Sequence, residues 1–137
     1  MIGRLEELEH RIMRLAVNTM GPLEPTNLKN MLYNRGWNCM WSENDLLRNP
    51  TLFAKRNHGN GCIVLVFVLF PNTRATNAAM IIQKFNLTER QMYIFNQKNY
   101  NHENNGELQN DLQFIENNIG NIQVLTENFG PPTTSPI

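Results

Sequence analysis

The stretch GCIVLVFVLFPNTR, Gly61 to Arg74, decides how this chain is read. Cys62 to Phe70 is an unbroken apolar run in an otherwise polar sequence. It is rich in Val, Ile and Phe, too short for a typical helix, and bounded by Gly61 and Pro71. Those features predict a strand. With no polar position in it, the strand is expected at the centre of a sheet, covered on both faces. The run is also less than half the length that a membrane-spanning helix requires, so no membrane association is expected.

Upstream, Leu5, Leu8, Ile12 and Leu15 step by three and four with charged residues between them. This is one apolar stripe on a helix of about four turns, ended by Gly21-Pro22. The stripe faces either the core or another chain, since two heptads are too few to specify a coiled coil. The same pattern, MIGRLEELEHR, is not a secretory signal, which predicts an intracellular protein without distinguishing nucleus, cytoplasm or virion. PTNLKNMLYNRGW predicts a second helix, capped by Thr26 or Asn27, with Leu28, Met31 and Leu32 inward and Gly36 as its stop. Ser42 with Asp45, then Leu46 and Leu47, predicts a short third helix cut off before Pro50. AKRNHGNG reads as a polar loop.

Downstream, TNAAMIIQKFN places Ala78, Ile81, Ile82 and Phe85 on one side of a helix. RQMYIFNQ predicts a second strand, and NYNHENNG a surface loop. ELQNDLQFIENNIG has Leu108, Leu112, Ile115 and Ile119 at helical spacing with Gly120 as the stop. NIQVLTE predicts a third strand. The fold class expected is therefore α/β. N-terminal helices precede a β-α-β-α-β unit, in a small, mostly parallel or mixed sheet covered by helices. Residues 1–128 form one domain in this reading, and 129–137, with three prolines, form a Pro-rich flexible tail.

The 137 residues suffice for one domain, and 41% apolar content excludes a disordered chain. Twelve basic residues balance twelve acidic ones, which argues against a free-standing nucleic-acid binder and leaves little charge to keep a lone chain in solution. Cys39 and Cys62 lie far apart and read as reduced, mostly buried thiols. A magnesium nuclease needs carboxylates on its central strands. Neither Cys62–Phe70 nor Met92–Phe95 carries one. His10, His58 and His102 sit in separate segments, with no ligand at zinc spacing from either cysteine. No glycine loop of the phosphate-cradling kind follows a strand. The sequence thus predicts no catalytic residue, no metal, no cofactor and no small-molecule substrate. Arg48, Lys55, Arg56 and His58 cluster in or near one loop, and Arg74 follows the central strand. They form either a solvated face or a phosphate-facing edge.

The order of motifs adds a resemblance. MLYNRGW (Met31–Trp37), LLRNPTLF (Leu46–Phe53), a strand ending Phe67–Pro71, an amphipathic helix, MYIFNQ, a polar helix and Val124–Asn128 follow one another. This order resembles the N-terminal jaw domain of the fifth subunit of eukaryotic-type DNA-directed RNA polymerases, across roughly residues 10 to 130. That family continues into a C-terminal assembly domain, so the resemblance implies a divergent member lacking it. It further implies a non-catalytic accessory subunit, a scaffold near downstream DNA. Leu5, Leu8, Ile12 and Leu15 would meet the large polymerase subunits, and Arg48, Lys55, Arg56 and Arg74 would lie near DNA phosphates without reading sequence. The residues alone fit equally a structural or interaction protein of a larger assembly, such as a virion component.

Overall fold

A computed structural model of the chain describes residues 25–41, 51–69, 78–100 and 105–137. The apolar run is a strand, but it pairs with its neighbours by hairpins rather than crossovers. In chain order the described elements are α1 (Pro25–Asn34), β1 (Asn38–Trp41), β2 (Thr51–His58), β3 (Gly61–Leu69), β4 (Ala78–Asn86), β5 (Gln91–Ile94) and β6 (Lys98–Tyr100). Then come α2 (Asn105–Asn117), α3 (Ile122–Phe129) and β7 (Thr133–Pro136). The strands form one seven-stranded sheet in the order β1-β2-β3-β4-β5-β7, with β6 also on β4. Every pairing is antiparallel. This corrects the α/β expectation: the sheet is neither parallel nor mixed, and no β-α-β-α-β unit exists among the described residues.

The turns account for the topology. Gly59 and Asn60 link His58 to Gly61, which face each other across β2 and β3. Gly59 has φ +53°, the left-handed value that the first position of a tight hairpin turn demands. Gly61 lies so close to the next strand that a Cβ there would stand 1.9 Å from the Phe85 carbonyl oxygen. The β3–β4 register thus requires glycine at this position. β5 and β6 are two halves of one strand along β4. Three residues, Phe95 to Gln97, oppose two, Ile81 and Ile82, which is the extra residue of a β-bulge. The Phe95 amide donates to the Ile82 carbonyl at 2.9 Å and holds the strand on β4 across the bulge.

Five segments differ from expectation. Ala54–His58, expected in a polar loop, belongs to strand β2. Asn99 and Tyr100, expected in a surface loop, belong to strand β6, with Tyr100 buried. Ala78–Asn86 is strand β4, not a helix. Ile122–Phe129 is helix α3, not a strand. The Asn121 side chain accepts from the Val124 amide, capping it, and Thr126 Oγ1 donates to the Ile122 carbonyl. Thr133–Pro136, expected in a flexible tail, is strand β7 paired with β5. Helix α1 is where the sequence places it. It closes with Gly36 at φ +90°, the Trp37 amide donating to the Leu32 carbonyl and the Gly36 amide to that of Tyr33. That is a Schellman cap. Helix α2 also agrees, with Leu108, Leu112 and Ile115 fully buried. The first and third expected helices, over residues 5–15 and 42–47, lie outside the described residues.

The two faces of the sheet differ. Along β3 the odd positions Ile63, Leu65, Phe67 and Leu69 are buried, and the even positions only half so. The buried set joins Leu52, Ala54, Met80 and Ile82 with the helical Leu28, Leu32, Leu108, Leu112, Ile115 and Leu125 in one core cluster. All three described helices therefore pack on one face, here the inner face. Among the described residues no helix covers the other face of β3, although its composition predicts cover on both sides. No described helix is long and apolar enough to cross a membrane.

Candidate functional site

Two of the expected DNA-proximal residues, Lys55 and Arg56, are neighbours on β2, so their side chains leave opposite faces of the sheet. Lys55 stands exposed on the outer face. Arg56 is turned inward and engaged: its guanidinium stacks over the Trp37 ring at 4.8 Å and donates to the Arg35 carbonyl. Arg48 and Arg74 lie outside the described residues, as do Leu5, Leu8, Ile12 and Leu15.

The ionic contacts of the inner face tie helices to sheet. Arg35, after α1, forms a two-pronged pair with Glu116 of α2, at 2.9 Å from Nε and 2.8 Å from Nη2. The Trp37 indole N–H donates to the same carboxylate at 2.8 Å. Together with Arg56 this group clamps α1, β2 and α2. Across the molecule, Asp111 of α2 is 8% exposed and accepts from the Tyr100 hydroxyl at 2.5 Å and from Lys98 Nζ at 2.7 Å. Burial, and then the bond to Asp111, push the Tyr100 phenol far above its ordinary value. Burial pulls the Lys98 ammonium down, but Asp111 and Glu107 more than offset it and leave it raised. Both groups are satisfied, so these networks read as structural.

The outer face is a different surface. In register, Met40, Phe53, Val66 and Ile81 make a continuous apolar row across β1 to β4. A second row runs through Lys55, Val64, Gln83 and Ile94, and a third through Asn57, Cys62, Phe85 and Met92. None of these residues belongs to the core cluster or packs against it. Met40 is 61% exposed. An antiparallel sheet with a solvated outer face ordinarily alternates to polar there. This one carries Val, Ile, Phe and Met.

At one end of the inner face lies a cavity of about 360 Å³. Its floor is His58, Gly61, Lys84 and Tyr93. Its rim is the β2–β3 turn and the β4–β5 turn, and its far wall is Gly120 and Ile122 from the link between α2 and α3. The two turns are joined by the Leu87 amide donating to the Asn60 carbonyl at 3.0 Å. His58 packs against Gly120 so closely that a Cβ at position 120 would stand 2.7 Å from the imidazole. Lys84 occupies an inward register position between Ile63 and Tyr93 and is 7% exposed. Burial lowers its ammonium below the ordinary lysine value, and the nearby Cys62 thiol acts weakly in the opposite sense. Burial likewise raises the Cys39 thiol, against the pull of Lys29.

Sequence reasoning missed both the outer face and Lys84. The signal for the second is a lysine inside an apolar segment, which a helical reading puts on a solvated side. No group of three His, Cys, Asp or Glu side chains among the described residues is arranged to hold a metal. Compared with known proteins, the chain matches no family model, no curated protein and no solved structure at a significant level.

Proposed function

We propose that the chain is a non-catalytic, intracellular subunit of a larger protein assembly, docking on a large protein partner through the outer face of its sheet. The observation that carries this reading is the apolar row Met40–Phe53–Val66–Ile81, which lies outside the core cluster. Strands stand about 4.8 Å apart, so four of them span enough width to seat an apolar helix or a sheet face of a partner. Contiguous apolar surface of this kind marks interaction sites on soluble proteins. The exact balance of acidic and basic residues adds no repulsion that would oppose association.

The multisubunit RNA polymerase is the second reading, supported by the order of motifs from Met31 to Asn128 and by Lys55 standing exposed beside the apolar row. It requires a large partner too. Purification from the native source under gentle conditions separates the two. Equal recovery of large polymerase subunits favours the polymerase reading, and equal recovery of other large proteins favours a virion or similar assembly. A solitary monomer, with residues 5–15 cross-linked onto its own outer face, overturns both.

A further inference from the structure

We propose that the cavity at the inner end of the sheet is a binding site for a small oxyanion-bearing ligand, a phosphate or carboxylate group held by the Lys84 ammonium. The cavity lies on the opposite face of the sheet from the docking surface, so this inference stands apart from the proposed function.

The chemistry starts from an imbalance. Lys84 is 7% exposed as a residue and lines the cavity, yet it makes no hydrogen bond and no ion pair among the described residues. An ammonium at a cavity wall without a counter-charge is poorly compensated. Among the described lining residues the only acid is Glu89, which is exposed and already accepts from the Tyr93 hydroxyl at 3.1 Å. The remaining polar lining is biased toward donors. Asn86 accepts the Glu89 amide through Oδ1 at 3.0 Å, which leaves its N–H groups free to donate. The Asn60 amide, the Thr88 hydroxyl and the His58 imidazole share the same wall. An anion entering here meets the Lys84 ammonium and several further hydrogen-bond donors, a charge-assisted arrangement roughly twice as strong as neutral hydrogen bonding. The volume, about 360 Å³, suits a small molecule. Lowering of the lysine by burial is the same imbalance viewed through protonation: an anion would restore the charged form.

The test is calorimetric titration of the full chain with inorganic phosphate and, separately, with acetate, at matched ionic strength and with chloride as the reference anion. Saturable binding of one anion per chain is expected. Preference for phosphate assigns a phosphate group, and preference for acetate a carboxylate. Lys84→Met should weaken binding at least about tenfold, the loss expected for one charge-assisted hydrogen bond. The same variant should melt at a higher temperature than the ligand-free wild type, because a thioether of similar shape replaces an unpaired charge. Lys84→Gln gives an independent check on binding, and Lys29→Gln, on a different element, should bind as wild type does. In the wild type, amide shifts should change on titration at Asn60, Gly61, Asn86 and Thr88. The proposal is overturned if neither anion saturates, if Lys84→Met binds as tightly as wild type, if Lys29→Gln weakens binding equally, or if the shifts spread over the whole surface.

Discussion

Phe67 and Val66 are adjacent on β3 and should respond to truncation very differently. Phe67 is 0% exposed and sits in the core cluster among helical leucines. Removing an aromatic ring from such a site loses its transfer free energy and leaves a cavity, so Phe67→Ala should cost about 3–5 kcal/mol. Val66 is half-buried on the outer face and is not part of the core cluster. Complete burial of a valine contributes about 1.5–3 kcal/mol, so partial burial leaves about 1 kcal/mol to lose in Val66→Ala. A domain of this size has a total stability of only about 7–20 kcal/mol. The larger loss is therefore a substantial fraction of the whole. Urea denaturation of the purified variants, followed by circular dichroism, reads both values, with an unchanged m-value as the check that the unfolded state is unaltered. Equal losses at the two positions would refute the two-faced sheet and restore a strand buried on both sides.

Two further perturbations probe the frame. Gly61→Ala should destabilise by about 1–3 kcal/mol or prevent the β3–β4 register, since its Cβ would overlap the Phe85 carbonyl oxygen; thermal melts compare it with Gly106→Ala, where a Cβ meets nothing within 4 Å. Tyr100 stays protonated in the fold above its ordinary pKa of about 10, so its contribution is complete below that pH and is lost as pH rises beyond it. Wild-type stability should fall by about 1.4 kcal/mol per pH unit above 10 from this group, and Tyr100→Phe should lack that slope in denaturation curves taken across pH 9 to 11.

The parts of the fold that sequence reasoning reaches are those where one period dominates. Leu28 and Leu32, and Leu108, Leu112 and Ile115, repeat at helical spacing and are buried on helices. β3 is legible as a strand from its branched and aromatic residues. Its topology was legible in principle from Gly59-Asn60, a two-residue hairpin signal between two strand-like runs. β4 hides because Ala78, Ile81, Ile82 and Phe85 satisfy a helical period. The true inward set is Ala78, Met80, Ile82 and Lys84, and the lysine breaks the alternation. α3 hides for the opposite reason: Ile, Val and Thr favour strands, and the cap at Asn121 with the burial of Leu125 overrides that preference. The outer face escapes because apolar residues at every position of β3 look the same whether the second face meets a helix of this chain or a surface of another.

The most direct test of the account places a charge at the middle of the outer row. Val66→Lys should fold, with a melting temperature within a few degrees of wild type, because the β3 side chain at this position lies outside the core cluster. It should nevertheless be missing from the large assembly that wild type enters when both are expressed in the native source and purified side by side. Full incorporation of folded Val66→Lys into that assembly would contradict the assignment of the outer face as the docking surface.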